Sequence, residues 1–269
     1  MIQSLMFGSG ASACKDFDGI FLVCSVAMQH GIRQFDTAPS YRTEELISSA
    51  VQTNAREFGI PRDGYVIQTK IDPIQMYNGN VEAYFKNKLD KLELDYVDAL
   101  LVHWPVKKYF METWDSMLKL KEGGYVRKIG ICNLRIEQLL DLQNQGIVPE
   151  ILQLERHPLC TFIEEVRFCV ENNIILQDYS PLCKMNPRIK ENVELQEIAR
   201  KYNRDIGQII LRWHIETGGI PIFTSTKPER ITLYSKIEDF SLSREEIETI
   251  SSMNCNHKLY LESLVCPGF

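Results

Sequence analysis

The sequence lacks the features that mark membrane, secreted and nucleic-acid-binding proteins. No apolar run approaches the ~20 residues that a membrane-spanning helix needs. The first residues, MIQSLMFGSGASACKDF, lack the charged-then-apolar order of a secretory signal. The 36 acidic and 30 basic residues give a formal net charge of −6, so no basic excess indicates nucleic acid or anionic lipid as a partner. We expect neither a membrane nor a nucleic-acid partner.

The cysteines lack the spacing of a metal site or of a disulfide framework. Eight cysteines are scattered along 269 residues, and no two have the C-x-x-C spacing. This pattern argues against a zinc site and against a secreted disulfide scaffold, and it is typical of a reduced, cytoplasmic protein. We interpret the thiols as small buried hydrophobic side chains. Cys266 is the one that could approach a site as a redox-sensitive thiol.

No Gly/Pro/Ser-rich linker and no low-complexity tract divides the chain. Apolar residues make up 44% and charged residues 25% of the sequence, which is the balance of an ordinary globular protein. We therefore predict one domain over residues 1–269.

Short apolar segments alternate with amphipathic segments from end to end. The pattern predicts strands at residues 4–7, 32–36, 65–70, 97–102, 127–131, 151–155, 174–179 and 220–224. It predicts helices at 18–30, 43–58, 81–94, 110–121, 136–144, 163–172, 193–216, 229–236 and 244–253. Eight strands alternating with helices favour an α/β protein of the (β/α)₈, or TIM, barrel type, usually ~250 residues long. A doubly wound open sheet suits the alternation almost as well.

Polar side chains concentrate where the predicted strands end, and both candidate folds build their functional sites there. The residues at or just after strand ends are Asp36, Tyr41, Lys70, His103, Asn133, Gln153, Glu155, Asp178, Tyr179, Ser180 and Ser225. Charges buried around one mouth are costly unless they pair, and stability alone gives no reason for them. The concentration therefore predicts a functional site.

Several segments make the chain resemble the aldo-keto reductase family. They are GIRQFDTAPSYRTEELI, VIQTK, LLVHWP, IGICNL, QLERHP, DYSPL and TSTKPERI, in the family's order from about residue 5 to residue 240. D-T-A-x-x-Y, H-W-P and Y-S-P-L are highly specific in combination and weak singly. The resemblance implies the barrel rather than the open sheet, and reduction of aldehydes or ketones by a nicotinamide cofactor. It assigns the catalytic tetrad to Asp36, Tyr41, Lys70 and His103.

Acid–base chemistry agrees with these roles. Carbonyl reduction needs a hydride, which the cofactor supplies, and a proton on the developing alkoxide. A phenol with an ordinary pKa of about 10 is a weak acid near neutrality. Because an ammonium stabilises a phenolate, we expect Lys70 to lower the pKa of Tyr41 and make it the general acid. Asp36 would hold Lys70 charged, His103 would orient or polarise the substrate oxygen, and Trp104 would form an apolar wall of the substrate pocket.

The resemblance also implies which residues bind the cofactor. They are Asn133 and Gln153 at the nicotinamide carboxamide, Tyr179 stacked on the nicotinamide ring, Ser180 and Leu182 at the pyrophosphate, and Ser225 and Arg230 at the adenosine 2′-phosphate and adenine. NADP(H), the family's default, is the expected cofactor. Lys184 and Arg188 either clamp the pyrophosphate or form an exposed basic loop.

The chain departs from the family pattern at three cofactor positions. Cys132 stands where the family commonly has Ser, Thr224 where it has the Lys that grips the 2′-phosphate, and Tyr234 where it has the Asn or Gln that contacts adenine. Loss of a charge-assisted hydrogen bond to the phosphate costs about 1.5–3 kcal/mol, although Lys227 could substitute. Use of NAD(H), alone or together with NADP(H), therefore stays open.

The shape of the site can be predicted from the lengths of three segments: the N-terminus, one loop and the C-terminal tail. The first strand begins almost at Met1, so we expect the family's N-terminal hairpin under the barrel to be absent. The loop after Pro105 and the tail after Met253 are short, which favours an open, shallow substrate site. We interpret His157 as a structural brace of the rim. Three other histidines are expected to be helical or surface residues: His30, His214 and His257.

We expect a monomeric reductase that acts on a small carbonyl compound. Two other functional classes remain as alternatives. The first is a regulatory relative that binds the cofactor and a partner protein, similar to the potassium-channel β subunits of this family. The second is a metal-dependent hydrolase, for which only His103, Asp36 and Glu155 could be ligands. The complete tetrad and the scarcity of metal ligands favour the reductase, with no bound metal.

Overall fold

Eight parallel strands close into a barrel in the computed structural model, which describes residues 2–10 and 16–261. The strands are β1 (Ile2–Gly8), β2 (Ile32–Asp36), β3 (Val66–Ile71), β4 (Val97–Val102), β5 (Val126–Cys132), β6 (Ile151–Glu155), β7 (Ile175–Tyr179) and β8 (Gly219–Phe223). Each strand pairs with its neighbour in sequence, and β1 also pairs with β8, with Met6 opposite Ile222. The barrel prediction is confirmed against the open sheet, and each predicted strand ends within two residues of the observed one.

Twelve α-helices lie within the described residues. They are α1 (Phe17–Gln29), α2 (Glu44–Glu57), α3 (Pro73–Asn78), α4 (Val81–Leu92), α5 (Lys107–Glu122), α6 (Ile136–Asn144), α7 (Ile163–Glu171), α8 (Pro187–Lys190), α9 (Val193–Tyr202), α10 (Ile206–Glu216), α11 (Pro228–Tyr234) and α12 (Arg244–Ser252). Sequence analysis missed the short helices α3 and α8, and each begins with a proline whose fixed φ suits the first helical position.

The single helix predicted over residues 193–216 is wrong, because two helices occupy this range. Asn203 has a φ of +52° and a ψ of 49°, a left-handed conformation that ends α9. Asp205 then starts α10, since its side chain accepts a hydrogen bond from the backbone N–H of Gly207 at 2.7 Å. Its own N–H donates to Gln208 Oε1 at 3.1 Å. This capping box fixes a new helix start that the continuous apolar periodicity conceals.

The core lies between the sheet and the helices. Because the eight strands are parallel, their carboxyl ends lie together at one mouth of the barrel. Buried apolar residues from the strands, such as Phe35, Leu100 and Ile131, pack with helical residues such as Val51 and Met117. Alternate strand residues point into the barrel. Polar side chains on those inward positions reach the mouth, and they build the site described next.

Candidate active site

A buried ion pair joins two neighbouring strands at the carboxyl-terminal mouth of the barrel. Asp36 ends β2, Lys70 lies in β3, and Lys70 Nζ is 2.7 and 2.8 Å from the two carboxylate oxygens of Asp36. The same ammonium donates to the backbone oxygen of Thr37 at 3.0 Å. The Lys70 residue is only 1% exposed, so its charge is tolerable because a carboxylate and a carbonyl oxygen replace the lost water.

Tyr41 connects this ion pair to His103. The Tyr41 hydroxyl lies 3.5 Å from Lys70 Nζ and 3.5 Å from His103 Nε2. The two rings meet edge to face, with an interplanar angle of 87°. The structure thus brings together the four side chains that the sequence assigns to catalysis, although they come from two strands and the loops after two strands.

Lys70 acts on the pKa of Tyr41 in the expected direction, downward, but the net pKa lies above its ordinary value. Burial raises the pKa of Tyr41 and outweighs the opposing effect of the Lys70 ammonium. Burial alone would lower the pKa of Lys70, but the Asp36 carboxylate holds it above its ordinary value. At neutral pH, Tyr41 therefore keeps its proton and Lys70 keeps its charge. The Tyr41 hydroxyl therefore carries a proton and lies beside the Lys70 ammonium.

Three glutamines form a polar layer inside the barrel beneath the ion pair. Gln68 Nε2 donates to Asp36 Oδ1 at 2.7 Å, and Gln153 Nε2 lies 3.2 Å from the same oxygen. Gln177 exchanges hydrogen bonds with Gln68 at 2.8 and 2.9 Å. Sequence analysis missed Gln68 and Gln177, although their alternation with outward-facing residues was a usable signal. The layer satisfies the buried carboxylate from below.

Asp72 is a further charged residue of the site that sequence analysis missed. It follows β3 and precedes α3, and its Oδ1 contacts His103 Nδ1. Its Oδ2 accepts the backbone N–H of Ser40 at 2.7 Å. The signal in the sequence was Asp-Pro two residues after Lys70, where a helix start was not recognised.

A cleft of about 760 Å³ opens above these residues. The sequence-predicted residues that line it are Asp36, Tyr41, His103, Trp104, Asn133, Gln153, Tyr179, Ser180, Leu182, Ser225 and Arg230. Lys70 lies beneath the lining, in contact with Asp36 and Tyr41. The predicted catalytic and cofactor-binding residues therefore share one continuous space.

One end of the cleft carries the Tyr179 ring next to the side-chain amide of Asn133. The Tyr179 hydroxyl donates to Asn133 Oδ1 at 2.8 Å, and Asn133 Nδ2 donates to the backbone oxygen of His103 at 2.9 Å. Asn133 has a φ of +65°, which an asparagine tolerates better than most residues. These bonds fix the Tyr179 ring beside Tyr41 and His103, and Trp104 lines the cleft next to them.

The other end of the cleft carries two exposed cations. Lys227 and Arg230 line it at the start of α11, together with Thr224. Ser225 Oγ accepts the backbone N–H of Lys227 at 3.0 Å, which shapes the loop before the helix. Tyr234 also lines the cleft but is 5% exposed, so its ring packs mainly inside.

The chain after α12 returns to the cleft, so the short tail contributes to its lining. Glu155 Oε1 accepts the N–H of Leu259 at 2.6 Å, and Oε2 accepts the N–H of Tyr260 at 3.0 Å. His157 braces the carboxylate through Nε2 at 3.0 Å, in keeping with the structural role expected for it. Tyr260 lines the cleft, with Lys184 Nζ 5.0 Å from its ring centre.

Asp178, grouped with the mouth residues from the sequence, faces away from the cleft. Its Oδ2 accepts Arg156 Nη1 at 2.8 Å and contacts His214 Nδ1 at 2.6 Å. A Cβ at Gly219 would collide with this carboxylate, so only glycine fits there. His214 lies in α10, which agrees with the helical position expected for it, and it is fully buried. Its Nε2 contacts the backbone oxygen of Pro181 at 3.2 Å, in the loop after Tyr179.

Other predicted features lie apart from the cleft or outside the described residues. Arg188 is exposed, with Nη1 3.6 Å from Cys255 Sγ, and does not line the cleft. Cys266 lies outside the described residues. Within residues 2–10 and 16–261, no three His, Cys, Asp or Glu side chains are grouped as metal ligands. No helix in those same ranges is long and apolar enough to cross a bilayer.

Known proteins resemble this chain over most of its length. The model of the aldo/keto reductase family matches residues 7–254. A glyoxal reductase of Bacillus subtilis is 32% identical over 260 residues, covering 96% of this chain and 92% of that protein. A methylglyoxal reductase of Yersinia pestis is 33% identical over 241 residues, covering 88% and 85%. The crystal structure of a Bombyx mori aldo-keto reductase in complex with NADP superimposes with a TM-score of 0.87 at 29% identity, covering 97% and 92%.

Proposed function

This chain belongs to the aldo-keto reductase family of oxidoreductases, and on that premise we propose that it reduces an aldehyde or ketone to an alcohol with NADPH, Tyr41 being the general acid. One observation carries the proposal. The Tyr41 hydroxyl faces the cleft and lies 3.5 Å from both Lys70 Nζ and His103 Nε2. A hydroxyl so placed can donate its proton to a bound carbonyl oxygen.

Three members of the tetrad and Trp104 have distinct roles in this proposal. Burial keeps Tyr41 protonated until a stronger base, the developing alkoxide, takes the proton. The Lys70 ammonium then stabilises the tyrosinate, and Asp36 keeps that ammonium oriented through two hydrogen bonds. Trp104 forms an apolar wall that excludes water from the reacting carbonyl.

The cleft fits a nicotinamide nucleotide. Exposed cations, Lys227 and Arg230, stand at the end suited to phosphate, and the Tyr179 ring stands at the end beside Tyr41. The bound dihydronicotinamide would supply the hydride to the carbonyl carbon. Ser180 and Leu182 line the stretch next to Tyr179, where we place the pyrophosphate. Asn133 and Gln153 would contact the carboxamide.

Small 2-oxoaldehydes are the substrate class that we propose first. The support is the similarity to a glyoxal reductase and a methylglyoxal reductase. Tyr260 and Trp104 line the same cleft as Tyr41 and supply apolar surface for such a substrate. Methylglyoxal and glyoxal are the compounds to assay before larger ketones.

Binding and turnover can be measured on the same sample. NADPH and NADH are titrated while tryptophan fluorescence is followed, and methylglyoxal or glyoxal is then added while absorbance is read at 340 nm. Trp104 lines the cleft, whereas Trp114 and Trp213 are buried in the core, so Trp104→Phe should remove most of the quenching without abolishing binding. We expect saturable quenching by NADPH and consumption of the nucleotide on addition of the aldehyde.

The other outcomes separate the alternatives. Tight nucleotide binding without turnover across a broad panel of carbonyls would favour a regulatory relative acting through a protein partner. Absence of binding by both nucleotides would contradict the proposal.

The cofactor preference can be tested at Thr224. We propose that NADPH is preferred through Lys227 and Arg230, with some use of NADH. Thr224→Lys adds a cation at the phosphate end and should raise the NADPH-over-NADH affinity ratio by about 10- to 150-fold, since one charge-assisted hydrogen bond contributes about 1.5–3 kcal/mol. Lys227→Met should lower the same ratio. An unchanged ratio in both variants would place the phosphate elsewhere.

We further propose a monomeric, cytoplasmic protein in which one barrel domain accounts for residues 1–269, with no membrane or nucleic-acid partner. Cys132, Cys160, Cys169 and Cys183 are buried thiols rather than disulfides, which suits a reducing compartment. Light scattering after size exclusion should give the mass of a single chain, and a dimer mass would contradict the monomer.

A further inference from the structure

Asp72 is a buried carboxylate at the mouth that lies outside the short motifs quoted for the family resemblance. The VIQTK segment ends at Lys70, and Asp72 follows two residues later. Asp72 is only 6% exposed, so each of its oxygens needs a donor. Oδ2 accepts the backbone N–H of Ser40 at 2.7 Å, and Oδ1 contacts His103 Nδ1.

These contacts determine which nitrogen of His103 carries hydrogen. A backbone N–H can only donate, so Ser40 requires an acceptor at Asp72 Oδ2. Burial alone would raise the pKa of Asp72, but the hydrogen bonds from His103 and Ser40 hold it below its ordinary value. An ionised carboxylate only accepts hydrogen bonds. The hydrogen between Asp72 and His103 must therefore lie on Nδ1.

A hydrogen on Nδ1 leaves Nε2 of the neutral imidazole without one. Burial lowers the pKa of His103 and outweighs the opposing effect of Asp72, so the neutral ring is the form to consider near pH 7.5. The titratable groups that face this ring are Tyr41 and Asp72 in contact, with Lys70 and Asp36 behind them. Bare Nε2 stands 3.5 Å from the Tyr41 hydroxyl.

We propose that Asp72 is a positioning residue that fixes His103 in the Nδ1-protonated tautomer, so that Nε2 accepts the hydroxyl hydrogen of Tyr41. Lys70 donates to the Tyr41 oxygen from one side, and His103 draws the Tyr41 hydrogen to the other. When a carbonyl binds, its oxygen replaces Nε2 as the acceptor of this hydrogen, while Lys70 continues to hold the Tyr41 oxygen. In this tautomer His103 cannot donate to the substrate oxygen, so polarisation of the carbonyl falls to Tyr41. The consequence for catalysis rests on the proposed function, whereas the tautomer does not.

Asp72→Asn reverses the tautomer by the same logic. The Ser40 N–H still needs an acceptor, so the new amide oxygen faces Ser40 and the amide nitrogen donates to His103 Nδ1. Nδ1 is then bare and the hydrogen moves to Nε2. In the serine-protease triad, an Asp→Asn exchange imposes the wrong histidine tautomer with intact geometry and lowers kcat by about 10⁴-fold. Here His103 orients the acid rather than acting as the base, so we expect a smaller loss.

The test is ¹⁵N NMR of histidine-labelled protein at pH 7.5, with His103→Gln to assign the His103 signals. In the wild type we expect a protonated Nδ1 and a bare, pyridine-type Nε2. Asp72→Asn should exchange the two patterns. It should also lower kcat for methylglyoxal about tenfold, out of the ~10²–10⁴-fold that a general acid contributes, with unchanged NADPH affinity.

Gln75→Ala is the matched control. It removes the acceptor of the Asp72 backbone N–H, 3.0 Å away, and leaves the carboxylate in place, so the tautomer and kcat should stay as in the wild type. A wild-type His103 protonated on Nε2 would overturn the proposal even if Asp72→Asn fails to fold. So would an exchanged tautomer with unchanged kcat, which would leave Asp72 without a positioning role. If the proposed function is wrong, no variant and no wild-type sample will turn over methylglyoxal. The tautomer of His103 can still be determined by NMR in that case.

Discussion

Two buried charged clusters of the barrel share their chemistry and differ in their surroundings. The mouth cluster consists of Asp36, Tyr41, Lys70, Asp72 and His103, and the sealed cluster consists of Arg156, Asp178 and His214. In each, a cation contacts a carboxylate within 2.8 Å and a histidine Nδ1 contacts an aspartate. Tyr41 and His103 line the cleft, but no member of the sealed cluster does.

The comparison shows that buried charge does not by itself mark an active site. In both clusters burial lowers the pKa of the histidine despite its aspartate partner. The sealed cluster connects β6, β7 and α10, and it supports the loop after Tyr179 through the contact of His214 with Pro181. The sealed cluster thus connects elements of the fold, whereas the mouth cluster includes Tyr41, which lines the cleft and which we propose as the proton donor. Access to a ligand is the distinguishing property.

The largest contrast should come from removing each ion pair as a whole. In the double variant Asp36→Asn with Lys70→Met, we expect methylglyoxal reduction to fall about 10²–10⁴-fold, because Tyr41 loses the cation that stabilises its anion. Stability should change little, since removing both partners leaves no orphaned charge. The matched pair Arg156→Met with Asp178→Asn should keep kcat within a few fold. Equal losses of kcat in the two double variants would show that the two clusters do not differ in their contribution to catalysis.

Breaking the sealed cluster on one side should destabilise the fold. Asp178→Asn leaves the Arg156 guanidinium, 3% exposed, without its carboxylate, which costs about 3–5 kcal/mol for a buried pair. Urea unfolding measures the loss, and kcat per folded molecule should be retained. Glu248→Gln, which breaks an exposed pair with Arg244, is the control and should have no measurable effect. A stability like that of the wild type would show that solvent reaches Arg156.

Acid should destabilise the protein through its buried histidines. His214 has a pKa below 6.5 in the folded state because of burial, so the unfolded chain binds a proton first as pH falls. Stability is therefore lost as pH decreases below about 6.5, with a slope of up to about 1.4 kcal/mol per pH unit for each such proton. Urea unfolding between pH 7.5 and 5.5 gives this slope. His214→Gln should reduce it, and an unchanged slope would contradict the assignment.

The sequence was sufficient for the fold and for the grouping of the mouth residues. Strand and helix periodicity predicted all eight strands, because parallel strands covered on both faces are continuous apolar runs. The aldo-keto reductase motifs then selected the barrel and grouped Tyr41 with His103, which the structure places 3.5 Å apart. Both inferences rest on local sequence patterns, which do not depend on contacts between distant segments.

Contacts between distant segments could not be predicted in the same way. Asp178 was grouped with the mouth because it ends a strand, but its neighbours Gln177 and Tyr179 point inward and alternation turns it outward. Burial of Tyr41, which raises its pKa, depends on packing that no motif encodes. The return of Tyr260 to the cleft depends on Glu155, 105 residues away in sequence. Such long-range contacts need the folded chain.

Tyr41→Phe provides the most direct test of the central claim, that the mouth cluster protonates the carbonyl oxygen from Tyr41. The variant removes one oxygen from the cleft and leaves the Asp36–Lys70 pair intact. At saturating NADPH, we predict that reduction of methylglyoxal falls about 10²–10⁴-fold while NADPH affinity stays within a few fold and thermal stability is retained. Turnover at the wild-type rate in Tyr41→Phe would contradict it.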